Sequence, residues 1–439
     1  MANSVFNLSD LNGSNGFIIN GIALGNGSGY SLSSAGDINN DGIDDLIIGA
    51  LWADPNGNNN AGQSYVVFGS NNGFSPSFEL SSLDGSNGFI LSGINAFDYL
   101  GNSVSSAGDI NGDGIDDLII GASGADPNGN SGAGQSYVFF GSSNGFSANF
   151  DLSSLDGTNG FILNGIAEDD RSGDSVSNAG DINGDGIDDL IIGAPDADPN
   201  GNSGAGQSYV VFGSSNGFSA SFDLSSLDGT NGFILNGIAA SDFSGRSVSS
   251  AGDINGDGID DLIIGALGAD PNGNSGAGQS YVVFGSSNGF SASLDLSSLD
   301  GSNGFILNGI NSWDFLGVSV SSIGDINNDG IDDLIIGAPD ADPNGNSDAG
   351  QSYVVFGSSN GFSSSLDLSS LDGSNGFILN GIAVGDNSGR SVSSAGDING
   401  DGIDDLIIGA PNADPNGNSD AGQSYVVFGS SNGFSSSLD

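Results

Sequence analysis

Six copies of an acidic nonapeptide carry the residues best suited to chemistry. In Asp109-Ile110-Asn111-Gly112-Asp113-Gly114-Ile115-Asp116-Asp117, side-chain oxygens fall at positions 1, 3, 5, 8 and 9, and Gly at position 6 permits a sharp turn. That spacing suits an oxygen cage for Ca2+: three side chains from one side, the position-7 carbonyl, and a carboxylate closing the far side. The expected ligands are Asp37, Asn39, Asp41, Ile43 and Asp45; Asp109, Asn111, Asp113, Ile115 and Asp117; Asp181, Asn183, Asp185, Ile187 and Asp189. They continue with Asp253, Asn255, Asp257, Ile259 and Asp261; Asp325, Asn327, Asp329, Ile331 and Asp333; Asp397, Asn399, Asp401, Ile403 and Asp405, each Ile through its carbonyl. The loop is not an EF-hand, because position 12 is Ile120 rather than Glu. Position 8, as at Asp116, is expected to point away from the cage and accept a hydrogen bond in a turn or between blades. Mg2+ fits less well because it demands tight octahedral geometry, and Zn2+ lacks its His and Cys ligands. The competing view is a solvated Asx-rich turn; six copies that keep every candidate ligand weigh against it.

Composition sharpens this. The 439 residues include 54 Asp and Glu against three Arg, no Lys, no His and no Cys, for a net charge of −51. A nucleic-acid or anionic-membrane partner is therefore excluded as an expectation. Disulfide, thiolate and imidazole chemistry are absent. A hydrolase working through paired carboxylates is conceivable without His, but the Asp already has a role in the loops. No apolar run approaches the roughly 18 residues of a membrane span. No basic-then-apolar export signal opens the chain, so an extracellular destination requires a signal outside this sequence.

The loops recur every 72 residues, from Asp37 to Asp397, so six periods account for nearly the whole chain. Each period reads as four short strands. In the second they are Ser103–Ala107, built of small residues; Asp117–Ala122, unbroken and apolar; Ser136–Phe140, aromatic and β-branched; and Phe161–Ile166. No helical periodicity is present. The pattern predicts an all-β fold: a closed six-bladed β-propeller of four-stranded antiparallel blades. The chain starts just before a fourth strand, Phe17–Ile22, and ends after a third, Ser424–Phe428. The N-terminal strand is therefore expected to complete the last blade. An open solenoid is the alternative. The expected domain is single, 1–439, with blades at 30–95, 102–167, 174–239, 246–311, 318–383, and 390–439 plus 5–23.

These residues resemble the FG-GAP repeat of integrin α-subunit propellers and their bacterial relatives. Gly-Ala-Pro stands at 193–195, 337–339 and 409–411, and a looser Phe-Gly half at Phe97 to Gly101, Phe243 to Gly245 and Phe315 to Gly317. The family's calcium loop matches all six acidic loops, with Asn at its third position throughout. Integrin propellers have seven blades, with calcium loops in only some; here six repeats all carry one. The resemblance implies a non-enzymatic extracellular or cell-surface recognition module, with calcium on one rim and ligand on the other. Some fungal lectins are similar to this family too.

Differences among the copies concentrate in two segments, one before the first strand and one just after Gly-Ala. Alternating strand directions put both on the rim opposite the acidic loops. The two Trp and three Arg of the chain all fall there, so the candidate ligand residues are Trp52, Tyr99, Arg171, Arg246, Trp313 and Arg390. The alternatives are drift at exposed loop tips and, for each Arg, neutralisation of nearby Asp, as Arg171 could do for Asp169 and Asp170. The expected function is a calcium-binding adhesion or recognition propeller, monomeric, with an extracellular protein or glycan as partner. A carbohydrate-binding lectin of the same fold, or a structural or engineered repeat scaffold with no ligand, remains open.

Overall fold

The computed structural model describes residues 5–439. Among them every regular element is a β-strand or a single turn of 3-10 helix. Six propeller blades follow one another at the 72-residue period. In the second, the strands are Val104–Gly108, Asp117–Ala122, Gln135–Phe139 and Gly160–Asn164, paired antiparallel in that order. The expected strands are thus present within one or two residues. Each of the first five blades also gains a short fifth strand from the next repeat, parallel to its fourth: Asn149–Asp151 beside Ile90–Ser92, and Ser221–Asp223 beside Ile162–Asn164. Polar side chains reinforce this join. Tyr137 donates to Gln135 Oε1, Gln135 donates to Asn164 Oδ1, and Asn164 donates to Asp223 Oδ1.

The second strand explains its own composition. All six residues of Asp117–Ala122 are buried. In one core cluster Leu262 and Ile264 pack with Ile191 and Phe233 of the blade before. In the next, Ile263 packs with Leu334 and Ile336 of the blade after. Alternate side chains of one strand thus serve two cores, and an unbroken apolar run results.

Contacts group the chain into two compact units, whereas the sequence reads as one domain. One unit runs to Glu168 and includes Ser214–Asp223; the other comprises Asp169–Gly213 and Leu224–Asp439.

The N-terminal strand makes one of the two pairings of a fourth strand. Ile18–Asn20 pairs in parallel with Ser77–Glu79, and the last sheet, Ser391–Gly396, Asp405–Ala410 and Gln423–Val427, has three strands among the described residues. The observed pairing is the one every other fourth strand makes with the short strand of the following repeat.

Comparison of repeats also exposes a weak spot. Leu100 and Leu316, each just before a Gly, are fully buried. Ser172 and Ser244 occupy the same place, equally buried, and their hydroxyls find no hydrogen-bond partner. Ser244→Leu should therefore raise stability by about 1–2 kcal/mol, the value of one buried aliphatic side chain. Denaturant midpoints check this; a lower midpoint would show that the site has closed around the smaller residue.

Candidate metal-binding loops and the variable rim

Each acidic loop joins the first two strands of its blade. The first Asp organises the turn: Asp109 Oδ1 accepts from the Asp113 N–H at 2.9 Å and Oδ2 from the Gly114 N–H at 2.8 Å. Asp113 Oδ1 accepts from the Ile115 N–H at 3.0 Å. Asn111 Nδ2 lies 3.0 Å from Asp117 Oδ2, and the Gly141 N–H donates to Asp117 Oδ1 at 2.8 Å. The same contacts recur around Asp181, Asp253 and Asp325. Positions 1, 3, 5 and 9 are thus gathered in one turn.

The position-9 carboxylate is the electrostatic centre. Asp117 is fully buried. Burial first, then the charges of Asp113 and Asp109, push its carboxyl up to about 8 against the opposing Gly141 hydrogen bond. Asp189, Asp261 and Asp333 are likewise pushed up to about 8, and Asp45 to about 7. Among the described residues no three carboxylates already converge as a ready metal-binding group. Those of positions 1 and 5 are held instead by backbone N–H groups of their own loop. The donor set consists entirely of oxygens, with one amide that can turn its oxygen inward by rotation. That chemistry fits a hard cation such as Ca2+ and not Zn2+.

Position 8 behaves as the sequence suggests. Asp116 Oδ2 accepts from the Asp37 N–H of the preceding repeat at 2.8 Å, and Asp260 Oδ2 accepts from Asp181 N–H at 2.9 Å. Gly36 and Gly180, just before these N–H groups, have positive φ, and a Cβ on either would collide with the Asp.

At the other end of the blade the two variable segments meet. Gly124 N–H donates to Asp98 O, and Trp52 N–H donates to Asn26 O. Every copy of the first segment has left-handed backbone at two places: Gly25 and Gly27, Phe97 and Tyr99, Asp169 and Arg171, Ser241 and Phe243, Trp313 and Phe315, Gly385 and Asn387. Each large residue there carries strain on the order of 1 kcal/mol. The segment is held by the preceding repeat, as in Trp313 N–H to Ser275 O and Phe315 N–H to Gly276 O. Trp313 is 61% exposed and packs edge-on to Phe315 at 6.1 Å. Trp52 is 45% exposed beside Tyr30, and Tyr99 neighbours the exposed Phe97. In the second and fifth repeats the core anchor before this Gly is the buried Leu100 or Leu316, not these aromatic residues.

The arginines have local partners. Arg171 Nε lies 3.1 Å from Asp196 Oδ2, and Arg246 pairs with Asp174. Arg390 lowers the carboxyl of Asp340 against a larger upward push from burial.

One group escaped sequence reasoning. Asp98, Asp170, Asp242, Asp314 and Asp386 are buried beneath the variable segments. Asp98 Oδ2 accepts from Asn95 N–H and Asp242 Oδ2 from Ala239 N–H, both at 2.9 Å. Burial pushes Asp242 up to about 6. The available signal was an Asp constant in five of six otherwise variable segments.

Four-stranded blades, each with an acidic hairpin loop at one end and variable segments at the other, define a repeat protein of the β-propeller class. The FG-GAP repeat family matches at residues 28–67, 100–139, 172–211, 244–283, 316–355 and 388–427. The chain belongs to that family. It is similar to integrin alpha-5 of Xenopus laevis, at 30% identity over 250 residues, 55% of this chain and 20% of that protein. It is similar to integrin alpha ina-1 of Caenorhabditis elegans, at 33% over 185 residues, 41% of this chain and 16% of the other. Phosphatidylinositol-glycan-specific phospholipase D of Bos taurus matches at 33% over 172 residues, 38% of this chain and 18% of that protein. The matched stretches thus span a fifth or less of these relatives. No described helix is long and apolar enough to cross a membrane.

Proposed function

We propose that the chain is a non-enzymatic recognition propeller of the cell surface or extracellular space, with one Ca2+ in each acidic loop and a ligand on the variable rim. The observation that carries this reading is the division of each blade. One end repeats the same oxygen-bearing loop, and the other varies and exposes rare large side chains. In each loop the side chains of positions 1, 3, 5 and 9 and the position-7 carbonyl would hold the ion. Bound Ca2+ would supply positive charge to a buried carboxylate crowded by two others.

On the rim, Trp313 and Trp52 are the stronger candidates, because Arg171 and Arg246 already have acidic partners. An extracellular protein is the partner suggested by the integrin relatives; a sugar stacked on an exposed Trp is the second reading. The phospholipase D relatives do not extend to a catalytic proposal, since the likeness covers under a fifth of the bovine protein.

The expected result for Trp52→Ala with Trp313→Ala is an unchanged calcium-loaded melting midpoint and at least tenfold weaker binding, about 1.4 kcal/mol. Binding is read against the strongest hit of a glycan array and of a cell-surface protein screen. Arg171→Gln with Arg246→Gln should instead cost no more than about 1 kcal/mol of stability, as exposed ion pairs do. Loss of melting with intact binding in the Trp variant would make these residues structural and end the ligand-rim reading.

A further inference from the structure

We propose that the aspartates beside the closing carboxylates, Asp116, Asp260, Asp332 and Asp404, are positioning residues for the acidic loop of the preceding repeat, so that calcium binds cooperatively between the loops they join. The inference rests on the calcium reading above. Asp260, Asp332 and Asp404 hold no place in the oxygen set of their own loops. Each sends Oδ2 to the first N–H of the loop one repeat earlier: Asp181 at 2.9 Å, Asp253 at 2.9 Å and Asp325 at 3.2 Å. Asp116 does the same for Asp37. The glycine before each of these N–H groups leaves room for the carboxylate, where a Cβ would collide with it.

A second tie runs through two consecutive peptide N–H groups. Gly285 N–H donates to the closing carboxylate Asp261, and Ser286 N–H donates to Ile182 O, inside the preceding loop, at 2.9 Å. Gly357 and Ser358 repeat this for Asp333 and Ile254. The closing carboxylate of one loop and the backbone of the loop before it are therefore fixed by one short segment. An ion that orders Asp261 orders Gly285 and Ser286, and holds Asp260 at the entrance of the loop starting at Asp181. The preceding loop then binds its own ion with less ordering left to do, which is positive coupling without a change of fold. A strut that served stability alone would leave the sites independent.

Calcium titration of the full chain by calorimetry, in buffer stripped of calcium, tests this. The wild type is expected to take six ions with a Hill coefficient of about 2. The combined variant Asp116→Ala, Asp260→Ala, Asp332→Ala and Asp404→Ala should still take six ions, with a Hill coefficient well below the wild-type value and a several-fold higher midpoint. The same four positions as Asp→Asn keep an acceptor oxygen and should restore cooperativity. If the combined Ala variant does not fold by circular dichroism, Asp332→Ala alone should lower the Hill coefficient with six ions still bound. Six ions bound independently by the wild type would overturn the coupling and leave the calcium reading standing. An Asn variant as uncooperative as the Ala variant would overturn the positioning role. A wild type that takes up no calcium would overturn the calcium reading itself.

Discussion

Chelation of calcium should lower the melting midpoint by roughly 15–20 °C. At free Ca2+ 100 times the dissociation constant, one site adds about 2.7 kcal/mol. Unfolding entropy near the midpoint is about 2.1 cal/mol/K per residue. One site per 72-residue repeat therefore sets that shift, and the ratio is the same whether repeats melt singly or together. Few interactions in so acidic a chain could match it, because each loop confines three carboxylates, one of them fully buried at Asp117, Asp189, Asp261 and Asp333. Scanning calorimetry with excess Ca2+ and with a chelator gives the comparison. Equal midpoints would sink the metal role of all six loops. A shift reproduced by Mg2+ at the same concentration would remove the preference for Ca2+.

Much of this molecule was legible because each repeat constrains the others. The run Asp117–Ala122 announces a strand buried on both faces, and its side chains do serve two cores. The acidic loop was legible because its oxygens fall at fixed spacing around a Gly. Asp116 separated from the cage because neighbouring strand residues point to opposite faces. What stayed hidden depends on distance in space. The short strand Asn149–Asp151 has no pattern of its own, since three residues cannot display a period; it exists only because Ile90–Ser92 offers a free edge. Asp98 and its equivalents lay inside segments read as exposed, where burial cannot be inferred from residue type. The pairing of Arg171 with Asp196 stayed hidden because that carboxylate comes from the second variable segment.

Asp261→Asn should change sign with calcium, raising the melting midpoint in chelator and lowering it in excess Ca2+. The folded protein pushes the Asp261 carboxyl up to about 8, whereas an unfolded chain titrates near 4. Below pH 4 the group is protonated in both states and contributes nothing. Between about 4 and 8 the unfolded chain releases a proton that the metal-free folded chain retains, so stability falls as pH rises through this window. At pH 7.5 the accumulated cost is on the order of a few kcal/mol, the cost of holding a proton on a carboxyl whose burial disfavours its charge. Asparagine is neutral at every pH. Its oxygen can keep the Gly285 N–H bond, and its amide can face Asn255, whose own amide can rotate to accept. In chelator at pH 7.5 the variant should therefore melt higher than wild type, and its melting should lose part of its pH dependence. In Ca2+ the order reverses, because an ionised position 9 becomes an asset once a dication is bound, and acid then destabilises by protonating the ligands. The variant should take up one ion fewer and melt lower. Melts of both proteins at pH 5.5 and 7.5, each with Ca2+ and with chelator, test both signs. A variant that melts lower in every condition would show that Asp261 is a structural acceptor whose charge is already compensated inside the fold, and the electrostatic basis for a cation at that loop would be gone.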